Sequence, residues 1–204
     1  MRRIPSLLRF FLLITLALGA VLHAGPPSAT LLARADKIVA RLALPDEAKA
    51  RRVRDLVAVQ YQSLSELHAQ RDARLKTAED DKAQIEAIHA EIGAAQNRLL
   101  ADYLAALSLE LTPAQIDQIK DGMTYSVVPK TYRAYLEMLP ELTAAQKEQI
   151  HAWLIEARER ALTAGTSEEK HRWFGKYKGR ITNYLAAAGY DLKAAEKAWL
   201  ARSR

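Results

Sequence analysis

The chain has 204 residues, with 30 Lys and Arg against 24 Asp and Glu, and no Cys. Without Cys it can carry neither a disulfide framework nor a lipid-modified cysteine. A net charge of +6 is too mild for a nucleic-acid-binding surface, which shows a concentrated basic stripe, so no nucleic-acid partner is expected.

Residues 1–24 have the pattern of a secretory signal peptide. Arg2, Arg3 and Arg9 form a basic leader, Phe10 to Leu22 is apolar, and Leu22-His23-Ala24 offers a cleavage site after Ala24. The apolar run is too short to favour a membrane span, although an uncleaved N-terminal anchor is the alternative. The expected location is periplasmic or secreted. Removing the leader leaves 27 basic and 24 acidic side chains. The mature chain, residues 25–204, is long enough for one domain with a real core.

Strand signals are nearly absent, with Ser126-Val127-Val128 the one β-leaning triplet, and Ala, Leu, Arg, Lys, Glu and Gln dominate. These are good helix formers, and the expected fold class is all-α, a helical bundle. After Gly25-Pro26-Pro27-Ser28, a first helix is read over 29–42, with Leu31, Leu32, Ala35, Ile38, Val39 and Leu42 inward. Pro45-Asp46-Glu47 restarts the chain as a long helix, its acids at the positive end of the dipole. Apolar stripes from Val53 to Leu67 and from Ile85 to Leu107 flank a charged stretch over 70–84. A single helix spanning both would be about 60 residues, far beyond the globular norm. A turn near Thr77–Asp81 is therefore preferred, giving a long antiparallel hairpin over 46–108 whose polar tip projects beyond the core.

Residues 109–204 form an aromatic-rich helical half. Thr112-Pro113-Ala114-Gln115 and Thr143-Ala144-Ala145-Gln146 each have the form of a capping box, and Thr166-Ser167-Glu168-Glu169 is a third. Asp121-Gly122 offers a left-handed stop to the first of these helices. Tyr125-Ser126-Val127-Val128-Pro129 then reads as an extended or turn segment, because Val128 precedes a proline. Together these make a non-helical Gly-Tyr-Pro elbow. Tyr132, Tyr135, Leu136 and Leu139 share one face of a short helix ended by Pro140. The helix from Thr143 is expected to close at Gly165 and the next at Gly189, and Asp191 caps a last short helix.

Ten of the twelve aromatic residues after the leader lie at or beyond Tyr125. On the helix from Glu168, Trp173, Tyr177, Arg180 and Tyr184 make one stripe, and His171, Phe174, Lys178, Ile181 and Leu185 a second. Aromatic faces flanked by Arg, Lys, Asn183 and acids suit a carbohydrate, whose C–H face stacks on rings while planar polar groups hold its hydroxyls. Packing of the same rings in a helical core is the competing reading. Gly175 and Gly179 each cost about 1 kcal/mol inside a helix, which points to close approach of another backbone or of a ligand. His68, His89, His151 and His171 have no paired i, i+4 spacing, so no metal and no cofactor are expected. Asp117, Asp121, Glu137, Glu141, Glu156 and Glu159 read as solvated helix faces. Paired carboxylates can also do glycosidase chemistry, which their separation decides.

The blocks Asp121-Gly122-Met123-Thr124-Tyr125, Val127-Val128-Pro129, Thr131-Tyr132-Arg133-Ala134-Tyr135 and Met138-Leu139-Pro140 resemble one bacterial family of exported proteins. So do Glu168-Glu169-Lys170-His171, Trp173-Phe174-Gly175-Lys176-Tyr177-Lys178-Gly179-Arg180-Ile181 and Asn183-Tyr184-Leu185. This is domain of unknown function 3826, to which sugar binding is ascribed, found in polysaccharide-degrading bacteria. The resemblance runs from about Ala35 to Trp199. It implies an oligo- or polysaccharide ligand linked to plant cell-wall glycans, and it carries no catalytic residue across. Leu111-Thr112-Pro113-Ala114-Gln115 and Leu142-Thr143-Ala144-Ala145-Gln146 also resemble motifs of periplasmic helical stress chaperones, which lack the Asp-Gly-Met-Thr-Tyr elbow.

The expectation is an exported, non-catalytic, carbohydrate-binding helical protein used in polysaccharide utilisation. The ligand groove would be lined by Tyr125, Lys130, Tyr132 and Arg133 of the elbow and by His171, Trp173, Tyr177, Arg180, Asn183 and Tyr184 of the aromatic helix. A chaperone-like or scaffolding protein, using the hairpin's apolar faces on a protein partner, is the first alternative. The second is an enzyme acting on acidic plant cell-wall sugars with Tyr, Arg and His171.

Overall fold

A computed structural model describes residues 25–202; the expected signal peptide lies outside them. No helix among the described residues is long and apolar enough to cross a membrane. The fold is all-α: α1 (Ala29–Val39), α2 (Glu47–Thr77), α3 (Lys82–Ser108), α4 (Pro113–Met123), α5 (Val127–Met138), α6 (Ala144–Ala161), α7 (Ser167–Ala187) and α8 (Leu192–Arg202).

Helix α1 starts on Ser28, whose hydroxyl accepts from Leu31 N, and tightens into a 3-10 turn over Ala40–Leu42. That ends the expected 29–42 helix one turn early, with Ala43 left-handed at φ 47°. Asp46 then caps α2 by accepting from the backbone N–H groups of Lys49 and Ala48, and these bonds hold its carboxyl below the usual range. The hairpin turns where the charge pattern placed it. Glu79 takes the left-handed position at φ 47°, and the Asp81 carboxylate accepts from Gln84 N to start α3. The tip is not merely polar. Ala78, Ile88 and Ile92 are buried there with Leu75 and Ile85 against them, and Arg74 bonds Glu91 across the two helices at 2.7 Å.

All three capping boxes form as read, at Thr112/Gln115, Thr143/Gln146 and Thr166/Glu169. The elbow is narrower than its sequence implies. Gly122 does not stop α4 in a left-handed conformation; it lies inside the helix, where a Cβ would fall 2.6 Å from Ile38 Cγ2. Its role is close approach of α1. The left-handed residues are Tyr125 (φ 60°) and Ser126 (φ 54°). Val127, Val128 and Pro129 are not extended but form the first turn of α5, where a proline's missing N–H has no helical partner to lose. Helix α6 ends before Gly165, which keeps a negative φ and instead gives room to the His68 ring, 2.6 Å from where its Cβ would sit. Gly189 is left-handed (φ 91°); its N–H bonds Ala186 O and that of Tyr190 bonds Leu185 O, closing α7.

Two large clusters form the core. Val53, Val57, Tyr103, Leu107, Ile119, Met123 and Leu162 gather among α1 to α4, and Tyr135, Ile150, Leu154, Phe174, Tyr177, Ile181 and Leu185 among α5 to α7. Polar bonds tie the two. The deepest is Arg158 of α6, 3% exposed, whose guanidinium meets Asp117 at 2.6 Å and Asp121 at 3.0 Å on α4. Burial opposes its charge, but the two carboxylates outweigh burial and hold its pKa above the usual value.

Gly175 and Gly179 are exposed, with nothing within 4 Å of an added Cβ. The close approach of another backbone expected there is absent among the described residues. Gly175→Ala and Gly179→Ala should each raise the unfolding free energy by about 1 kcal/mol, since only helix propensity changes. Chemical denaturation measures this; destabilisation by either would show that the face is packed.

Candidate functional site

The ten residues expected to line one groove fall in separate places. Tyr125 and His171 do meet: their rings stack 5.3 Å apart at 11°. Lys130 folds back to donate to the Tyr125 carbonyl at 3.3 Å. Tyr132 and Arg133 line a different depression of about 440 Å³, with Asp117, Asp121, His151 and Arg158. There the Tyr132 ring tilts against His151 at 4.9 Å. Tyr177 is buried in the core, 7% exposed. Arg180 covers the Trp153 indole at 4.5 Å, and Tyr184 meets that indole edge-on at 5.2 Å. Asn183 is exposed on α7. Among the described residues no group of three His, Asp or Glu is placed to hold a metal ion.

Trp173 lies elsewhere again, half-buried in a groove of about 380 Å³ where α7 passes α2 and α3. The sequence did not bring forward its neighbours: His68 and Arg71 from α2, Gln96 from α3, and Glu169, Arg172 and Lys176 from α7. The Lys176 amine sits 5.4 Å over the indole. His68 Nε2 lies 2.9 Å from Thr163 O, a contact that requires the proton on Nε2. The buried Nδ1 has no hydrogen-bond partner. Arg71 is held by Asp72 at 2.8 Å and faces Glu169 at 3.8 Å. Arg172 is likewise paired, with Glu168 at 3.0 Å, so Lys176 is the groove cation that makes no ion pair among the described residues.

The loop Leu162–Thr166 separates this groove from a smaller cavity of about 250 Å³ beside it, Ala164 lining both. Arg34 of α1, Tyr61 and Ser65 of α2, Tyr125 of the elbow, and Thr166, Ser167 and Lys170 at the start of α7 line that cavity. Lys170 is 5% exposed, and its amine donates to Met123 O at 3.2 Å. Burial, reinforced by the Arg34 charge, pulls its pKa down to about 8. Burial likewise pushes the Tyr61 phenol up to about 12. The sequence held one signal for this lysine. Counting back from Leu185 through Ile181, Tyr177 and Phe174, residue 170 is the next position on the buried face.

A family model described as protein of unknown function (DUF3826) matches residues 29–204. No curated protein matches the chain.

Proposed function

The chain belongs to that family of proteins of unknown function, and from this premise we propose that it is an exported, non-catalytic protein that binds saccharide at Trp173. The observation that carries the reading is the half-buried indole in an open groove beside Arg71, Gln96, Arg172 and Lys176. A sugar ring presents an apolar C–H face bordered by hydroxyls. The indole takes the face, and guanidinium and amide groups take the border. Lys176, an exposed side chain, can swing off the ring at a cost of about 1 kcal/mol. Lys176, which makes no ion pair among the described residues, favours an acidic sugar, in keeping with a role in plant cell-wall polysaccharide use. Export is read from the leader pattern at residues 1–24.

Val59, Leu109, Tyr125 and Leu200 are the exposed large apolar residues among those described, and they fall on four different elements. A chaperone-like protein would need a continuous apolar face on the hairpin.

Trp173→Ala should weaken oligosaccharide binding by about 2 kcal/mol, roughly thirty-fold, with helicity by circular dichroism unchanged. Arg172→Ala, a change at an exposed residue, should weaken it without touching the core. Collapse of helicity in Trp173→Ala, together with full binding in Arg172→Ala, would make Trp173 a packing residue and end this reading. Turnover of a uronic-acid oligosaccharide would replace it with the enzyme alternative.

A further inference from the structure

We propose that the cavity between Arg34 and Lys170 is an oxyanion site, and that the anion it takes is the carboxylate of a uronic-acid residue in the bound saccharide. The carrier's identity rests on the saccharide reading; the oxyanion site does not.

The argument is charge without compensation. Arg34 at the mouth and Lys170 at the floor both approach the Tyr61 ring, at 5.2 and 5.6 Å from its centroid. No Asp or Glu lines the cavity, and neither cation forms an ion pair among the described residues. A buried ammonium normally keeps a carboxylate beside it, because desolvating an unpaired charge is costly. Besides the Tyr61 ring, Lys170 has only the uncharged Met123 carbonyl. An anion from solution supplies what the protein leaves out, and a charge-assisted bond there is strengthened by the low local dielectric.

The remaining groups suit the same ligand. The Ser65 and Ser167 hydroxyls make no hydrogen bond among the described residues and can donate to an oxyanion. Ser167 opens α7, so the cavity lies at the positive end of that helix, whose first turn also carries Glu168 and Glu169. At about 250 Å³ the cavity is below the range of roughly 300–1,000 Å³ that holds a whole drug-sized ligand. It therefore matches one charged sugar unit rather than a chain, while the adjoining Trp173 groove can take its neighbours. Tyr125 closes one side in a strained left-handed conformation, φ 60°, fixed by Lys130 on its carbonyl and by stacking on His171. Strain of that kind persists where the surroundings hold it, as they do around ligand sites.

The test is calorimetric titration of the protein with trigalacturonate, with its fully methyl-esterified form, and with inorganic phosphate. Wild type, Lys170→Met, Arg34→Gln and Trp173→Ala are compared, with circular dichroism on each. Trigalacturonate should bind wild type about tenfold more tightly than the ester. That preference should vanish in Lys170→Met and in Arg34→Gln, the latter lying at an exposed position where folding is not at stake. Binding of phosphate that Lys170→Met or Arg34→Gln abolishes, with no binding of either sugar, would support the oxyanion site while refuting its sugar source and the saccharide reading. Equal binding of acid and ester, lost in Trp173→Ala, would overturn the oxyanion site and leave the saccharide groove standing. So would a preference for the acid that survives both cation variants. No response to any of the three ligands would overturn both.

Discussion

Replacing both Asp117 and Asp121 with Ala is expected to lower the unfolding free energy by about 3 kcal/mol. Arg158 is the reason. Its side chain is 4% exposed, and Asp117 at 2.6 Å and Asp121 at 3.0 Å supply most of its countercharge. Removing both leaves a buried guanidinium with Glu159 at 3.1 Å and the Asp117 carbonyl at 3.4 Å. The Glu159 contact keeps the loss at the low end of the ~3–5 kcal/mol found when a buried pair is broken from one side. Arg158→Met should cost less, because the Asp117 side chain, 58% exposed, remains hydrated on its own. The triple variant should recover most of the loss, as a double-mutant cycle in urea would show. If Arg158→Met were instead the more damaging change, its hydrogen bonds and packing would matter more than its charge.

The second large effect is a rise of stability with pH. Lys170 is displaced from 10.5 to about 8 by burial and by Arg34, which at ~1.4 kcal/mol per unit amounts to about 3 kcal/mol. The folded pKa lies below the unfolded one. Between about pH 8 and 10.5 the unfolded chain therefore binds more protons, and stability climbs across that window. The contribution is complete above 10.5 and lost as pH falls through 8. Tyr61, Tyr103 and Tyr135 act oppositely once pH passes 10, since burial raises all three from that value. The readable window is thus pH 8 to 10 in anion-free buffer, where wild type should gain stability relative to Lys170→Met. An oxyanion at the site would restore the lysine's charge and flatten the slope. Parallel pH profiles for the two proteins would contradict the burial of that charge.

Local chemistry was legible in the sequence and distant contacts were not. The three Thr-x-x-Gln/Glu boxes, the helix restart at Asp46 and the Asp191 cap follow from neighbours within a turn of helix, the 46–108 hairpin follows from the length of its apolar stripes, and all are present. The glycines misled because a Gly can serve either backbone conformation or close approach. Gly122 and Gly165 give room to Ile38 and His68 from other helices, while a glutamate, Glu79, supplies the left-handed turn of the hairpin. Asp117 and Asp121 looked like a solvated pair because their partner Arg158 is 37 residues beyond Asp121. The site divides in the same way. Trp173 and Tyr125 stood out as aromatics, yet part of what surrounds them comes from α1, α2 and α3, which no stripe on α7 can reveal.

The measurement that bears most directly on the account is thermal unfolding of the wild-type protein against a panel of plant cell-wall oligosaccharides at millimolar concentration. The account predicts a dose-dependent rise in Tm for uronic-acid oligomers, as native-state binding requires by mass action, and a smaller rise for neutral ones. An unchanged Tm across the whole panel would contradict saccharide binding.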